Sequence, residues 1–149
     1  MLNRILGILG ITAVALLSAN AASAKSDDGQ LDEQVVIVTA SNATNNQLLV
    51  YDSTGALLNT IPTNGQGGVG GNAGGIAHRY SLLAVVNFAS GSVSVFDEDL
   101  KHLSFKLAQV VPAMSNPVSV AFGNDHLYIL STTKVESHPI THDSVSKSP

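Results

Sequence analysis

The chain reads as all-β, a partial propeller of roughly 2.5 antiparallel blades, and three observations predict it. First, Leu48-Leu49-Val50-Tyr51-Asp52 returns as Val93-Ser94-Val95-Phe96-Asp97, and a period of about 45 residues marks a four-stranded blade rather than a helical repeat. Second, short β-branched runs alternate with Gly, Asn and Asp turns at regular intervals, as in an antiparallel meander. Third, no stretch after residue 24 carries the 3.6-residue apolar period of an amphipathic helix.

Residues 1–24 have the layout of an export signal. Arg4 supplies positive charge, residues 5–17 are apolar, and Ala22-Ser23-Ala24 ends the run with small residues. A membrane span needs roughly 20 apolar residues, and this run is shorter and diluted by Gly7, Gly10 and Thr12. Cleavage is expected after Ala24, which predicts an exported protein, periplasmic or secreted, with no membrane span after the cut. Residues 25–33 are charged and polar and read as a flexible leader.

The propeller region is expected over residues 34–132. Residues 34–40 (QVVIVTA) form a continuous β-branched run of the kind buried on both faces. Residues 48–52 and 57–61 flank Asp52-Ser53-Thr54-Gly55, a tight turn, and so make a hairpin. After a glycine-rich segment over 64–75 come strand signals at 75–77, 82–87, 92–97 and 105–110. Ala89-Ser90-Gly91 is too short for a crossover helix and fits an antiparallel hairpin. The unit restarts at 117–122 and 127–131 around Gly123-Asn124-Asp125. Residues 133–149, with two prolines and no clean alternation, are expected to be an irregular C-terminal tail. The blades are thus a partial first, a complete second and a third that stops after two strands.

Composition narrows the chemistry. There is no cysteine, so disulfides and thiolate metal sites are absent. Without Arg4, six Lys and Arg stand against eleven Asp and Glu, and no basic stripe exists to track phosphates, so nucleic acid is not an expected partner. Gly65-Gln66-Gly67-Gly68-Val69-Gly70 meets the glycine spacing of a dinucleotide fingerprint, but a strand signal follows where that site needs a helix. The glycines read instead as a flexible connector between the first two blades, with a mobile loop over one mouth as the functional alternative.

No catalytic set, cofactor site or metal site is assigned. His138 and His142, with His126 and Asp143, offer metal-ligating atoms, but Pro139 breaks the helical geometry that the spacing of the two histidines would use. His78 and Arg79 follow a strand signal and are placed in a turn, where a propeller would present them at a mouth. Asp52 and Asp97 recur at one position of the repeat and read as turn formers. No Gly-x-Ser-x-Gly elbow is present, and Asn42-Ala43-Thr44 matches a glycosylation acceptor by pattern alone.

Ala84-Val85-Val86-Asn87 followed by Gly91-Ser92-Val93-Ser94-Val95-Phe96-Asp97 resembles the YVTN-type propeller repeat. Residues 36–39 with 47–52 make a looser copy. Such repeats occur in lactonase-like propellers related to 6-phosphogluconolactonase and carboxymuconate cyclase. The resemblance implies a propeller over residues 34–132, and it admits two functions. One is a binding or interaction module with a ligand or protein partner; the other is a fragment of an enzyme that opens or closes a lactone ring. Propellers close with four to eight blades, so an arc this short predicts truncation of a larger propeller, the alternatives being self-association of copies through open blade edges into one ring and an arc that folds alone as a marginal sheet stack.

Overall fold

Three antiparallel meanders follow one another along the chain. The computed structural model describes residues 36–68, 75–99, 102, 104–142 and 144–149, together with the backbone of Ala15–Leu16. The first sheet holds β1 (Ala15–Leu16), β2 (Val36–Ala40), β3 (Gln47–Asp52) and β4 (Leu57–Pro62). The second holds β5 (Ile76–Arg79), β6 (Leu82–Asn87), β7 (Ser92–Asp99) and β8 (Ser104–Pro112). The third holds β9 (Pro117–Gly123), β10 (His126–Ser131), β11 (Val135–Thr141) and β12 (Ser144–Val145). In each sheet the strands lie in sequence order with antiparallel neighbours, and no helix occurs among the described residues. Most of the expected export signal, and the leader over 25–33, lie outside the described residues.

The second sheet is covered on both sides. All six residues of β6 (LLAVVN) are buried, and because side chains alternate across a strand, two separate cores result. Leu82, Ala84 and Val86, with Val93, Val95 and Val111, pack on Val120, Leu127, Ile129 and Val145 of the third sheet. Leu83 and Val85, with Phe96 and Phe105, pack on Val36, Val38, Leu48 and Val50 of the first. The run at 34–40 was the one expected to be buried on both faces. In β2, however, Val36 and Val38 are buried while Ile37 and Thr39 are only half-buried. A β-branched run fits either role; position in the stack decides between them.

The repeat extends to its irregularities. The β3–β4 register shifts between Val50 and Tyr51, and the β7–β8 register shifts between Val95 and Phe96, the equivalent step of the next unit. Such bulges sharpen local twist, so both sheets bend at the same place. The turn residues are less faithful. Asp52 caps its turn through Oδ1, which accepts from Thr54 N at 2.8 Å, Thr54 Oγ1 at 2.6 Å and Ala56 N at 2.9 Å. Asp97 does not: it lies exposed within β7 opposite Lys106. The β7–β8 ladder runs on to Asp99↔Ser104, and Asp99 accepts there from His102, Nδ1 to Oδ2 at 2.6 Å.

The segment expected to be an irregular tail completes the third sheet. β11 pairs with β10 from Leu130↔Val135 to His126↔Pro139, and β12 pairs with β11. Pro139 fits because of the alternation of the ladder. Ile140 N donates to Asp125 O at 2.8 Å, so the neighbouring Pro139 turns its nitrogen away from β10 towards β12. There Ser146 N donates to Pro139 O at 2.8 Å. The return bond that proline lacks is replaced by His138 Nδ1, 2.8 Å from Ser146 O. A carbonyl only accepts, so Nδ1 is the donor in this contact.

Candidate functional site

Alternate connections of a meander fall at opposite ends of its sheet, which gives the stack two chemically distinct ends. At one end the link from the first to the second sheet folds over the β2–β3 and β6–β7 turns. Asn46, Thr63, Asn87 and Ser94 are buried there. Asn46 Nδ2 donates to Val86 O at 3.0 Å and to Asn87 Oδ1 at 2.9 Å. Asn87 Nδ2 donates to Ser94 Oγ at 2.7 Å, and Ser94 Oγ to Thr63 O at 2.5 Å. This chain ties two sheets together with every buried side-chain polar atom of the described residues partnered.

The glycines of the link serve this packing. A Cβ on Gly65 would overlap the Asn87 side chain, and one on Gly67 would overlap the Asn42 carbonyl. Gly67 N donates to Ala43 O at 2.8 Å and Ala89 N to Gly67 O at 3.0 Å. The described part of the expected flexible connector is therefore docked rather than loose, because side chains are absent where two turns approach. Residues 69–74, the rest of that connector, lie outside the described residues. Above the network Asn45, Gln47, Pro62, Asn64, Gln66 and Ser90 line an open groove whose polar groups are uncharged.

At the other end the β5–β6, β9–β10 and β11–β12 turns surround a cleft of about 210 Å³ between the second and third sheets, lined by Arg79, Tyr80, Leu82, Asp125, Ile140 and His142. The turns are set by backbone chemistry. Asn124 and Asp125 both have positive φ, +46° and +58°, the two-residue hairpin geometry that Asn and Asp tolerate. Tyr80 at +53° and His142 at +47° adopt the same left-handed region, which is uncommon for large side chains. Arg79 Nη2 donates to Asp125 Oδ1 at 2.8 Å, and its guanidinium lies 5.0 Å from the centre of the Tyr80 ring. The hydrogen bond with Asp125 raises the Arg79 pKa above its ordinary value.

The residues singled out in the sequence are distributed differently from their spacing. His78 and Arg79 are the last two residues of β5, not turn residues, and as neighbours on a strand they face opposite ways. Arg79 enters the cleft, whereas His78 Nε2 meets the buried Glu98 Oε2 at 2.7 Å. The histidines of the C-terminal region separate as well. His138 is fully buried beside Glu136, Nε2 to Oε2 at 3.3 Å; His142 lines the cleft; His126 donates from Nδ1 to Asn124 O at 2.7 Å. Asp143 lies outside the described residues, and among those described no three His, Cys, Asp or Glu are grouped to hold a metal.

Asp125 and Tyr80 were not legible as site residues. The available signal was the repeat itself, since 79–80 and 124–125 fall at the equivalent hairpin of successive units and carry opposite charges. No protein-family model, curated protein or solved structure matches the chain.

Proposed function

We propose that this chain is an exported, propeller-type interaction module that extends its own stack of sheets by recruiting a further β-sheet, supplied by a second copy. The reading rests on one observation among the described residues: the second sheet is buried on both faces, while the outer two each have one face packed on it and the other half-buried to exposed. On the open face of the third sheet Leu130 and Val135 are cross-strand partners, 46 % and 71 % exposed. On the first sheet Leu57, paired with Tyr51, is 54 % exposed. The three meanders repeating at about 45 residues, and the recurrent bulge, support blades of the YVTN type as their architecture.

Export adds an edge to the open face. β1 lies inside the expected signal and pairs with β2, Ala15↔Val38 and Leu16↔Ile37. A chain cut after Ala24 loses that pairing, which leaves one side of the apolar β2 without ladder partners. The test is light scattering after size exclusion, with near-UV circular dichroism, on the mature chain from Lys25. A discrete oligomer with fixed tertiary signal is expected, converted to a folded monomer by Leu130→Glu with Val135→Lys. A folded wild-type monomer, or an oligomer indifferent to that double substitution, overturns the reading.

A further inference from the structure

The geometry points to a second site, independent of self-association: we propose that the cleft of Arg79, Tyr80 and His142 binds a small organic carboxylate with an apolar body, the carboxylate replacing Asp125 on Arg79. The guanidinium is pre-positioned. Its side chain is 24 % exposed, it lies over the Tyr80 ring, and its planar fork is matched to a carboxylate. Its present partner is weakly held. The Asp125 side chain is 82 % exposed and meets Arg79 through Nη2 alone, and an ion pair so open to water is readily exchanged. Asp125 thus acts as an internal stand-in for the ligand's carboxylate.

The rest of the cleft defines the body of the ligand. Leu82, 4 % exposed, and the half-buried Ile140 form an apolar floor. Tyr80 is 77 % exposed and held at φ +53°, so a large aromatic side chain stands at the rim instead of entering the core. A volume of about 210 Å³ equals roughly seven waters at about 30 Å³ each, enough for a single ring or a short branched acid. His142, also in the lining, supplies a further hydrogen-bonding group.

Benzoate is the probe, with benzamide as the uncharged control, titrated calorimetrically into the mature chain. Saturable binding of benzoate and none of benzamide is expected. Arg79→Gln lowers the affinity by at least about tenfold, the loss of a charge-assisted pair, and Arg79→Lys restores part of it. Asp125→Asn, which keeps a residue suited to positive φ, raises the affinity several-fold because the competing internal carboxylate is gone. A purely structural ion pair predicts the reverse sign for Asp125→Asn. No benzoate binding, equal binding of benzamide, or weaker binding to Asp125→Asn overturns the proposal, whatever the oligomeric state.

Discussion

Asp52 organises its turn through a single oxygen, and that arrangement has a pH signature. The Thr54 hydroxyl, followed by the Ala56 N–H, lowers its pKa below 3.8. A depressed carboxyl contributes stability that is complete above the unfolded value and is lost as the pH falls through the folded one. The stability difference between the native chain and Asp52→Asn, from urea midpoints, is therefore expected to be constant near neutrality and to shrink below pH 3.8; parallel curves down to acid pH would refute this. Glu136 is a costlier position. Its Oε1 accepts from Met114 N at 2.9 Å and Ser131 Oγ at 3.2 Å, and its Oε2 faces the buried His138. Glu136→Leu strands all three partners and is expected to destabilise by about 3 kcal/mol. Glu136→Gln keeps an acceptor for Met114 and Ser131 and should cost clearly less in the same denaturation assay.

Strand β11 shows why an element can escape notice. Glu136, His138 and Ile140 point inward and Val135, Ser137, Pro139 and Thr141 outward, so the alternation is intact but two of the inward positions are polar. Hydrophobic periodicity registers apolar side chains only, and a satisfied His–Glu pair is invisible to it. Proline reinforced the impression of a loop, although its nitrogen faces β12, where His138 takes over the missing bond. A chain ending at Thr132 discriminates the two readings. It loses β11, β12 and the buried Val145 that packs on the shared core of the second and third sheets. Loss of cooperative thermal unfolding is expected, whereas an irregular tail would be removed at no cost. A strand the pattern did locate, such as β6, carries apolar side chains on both faces from Leu82 to Val86.

In the molecule as a whole, the stack sets the exposure of each sheet. Leu82, Ala84 and Val86 are buried because a third sheet covers them; Leu130 and Val135, on the uncovered face of that third sheet, are not. Burial of such a face on association makes stability depend on protein concentration, so the thermal midpoint of the mature chain is expected to rise with concentration and to cease doing so in the Leu130→Glu, Val135→Lys variant. The lactone-ring alternative rests on the repeat resemblance and adds no requirement on these faces. The cleft at Arg79 lies at the end of the β5–β6 and β9–β10 turns and shares no lining residue with the groove over Asn46.

The amino-acid sequence by itself determined the all-β class, the spacing of the unit and most hairpins, because these follow from local rules: alternation of side chains, the residues that tolerate positive φ, and recurrence of one motif. The Gly123-Asn124-Asp125 hairpin and the Asp52 turn are legible for that reason. Only the tertiary structure decided that β2 is covered on one face and β6 on two, that Gly65 and Gly67 are packing positions, and that His78 and Arg79 part company. It alone joined Arg79 to Asp125, which lie 46 residues apart. Local periodicity records which way a side chain points, but the partner it meets there depends on the register and stacking of sheets distant in sequence.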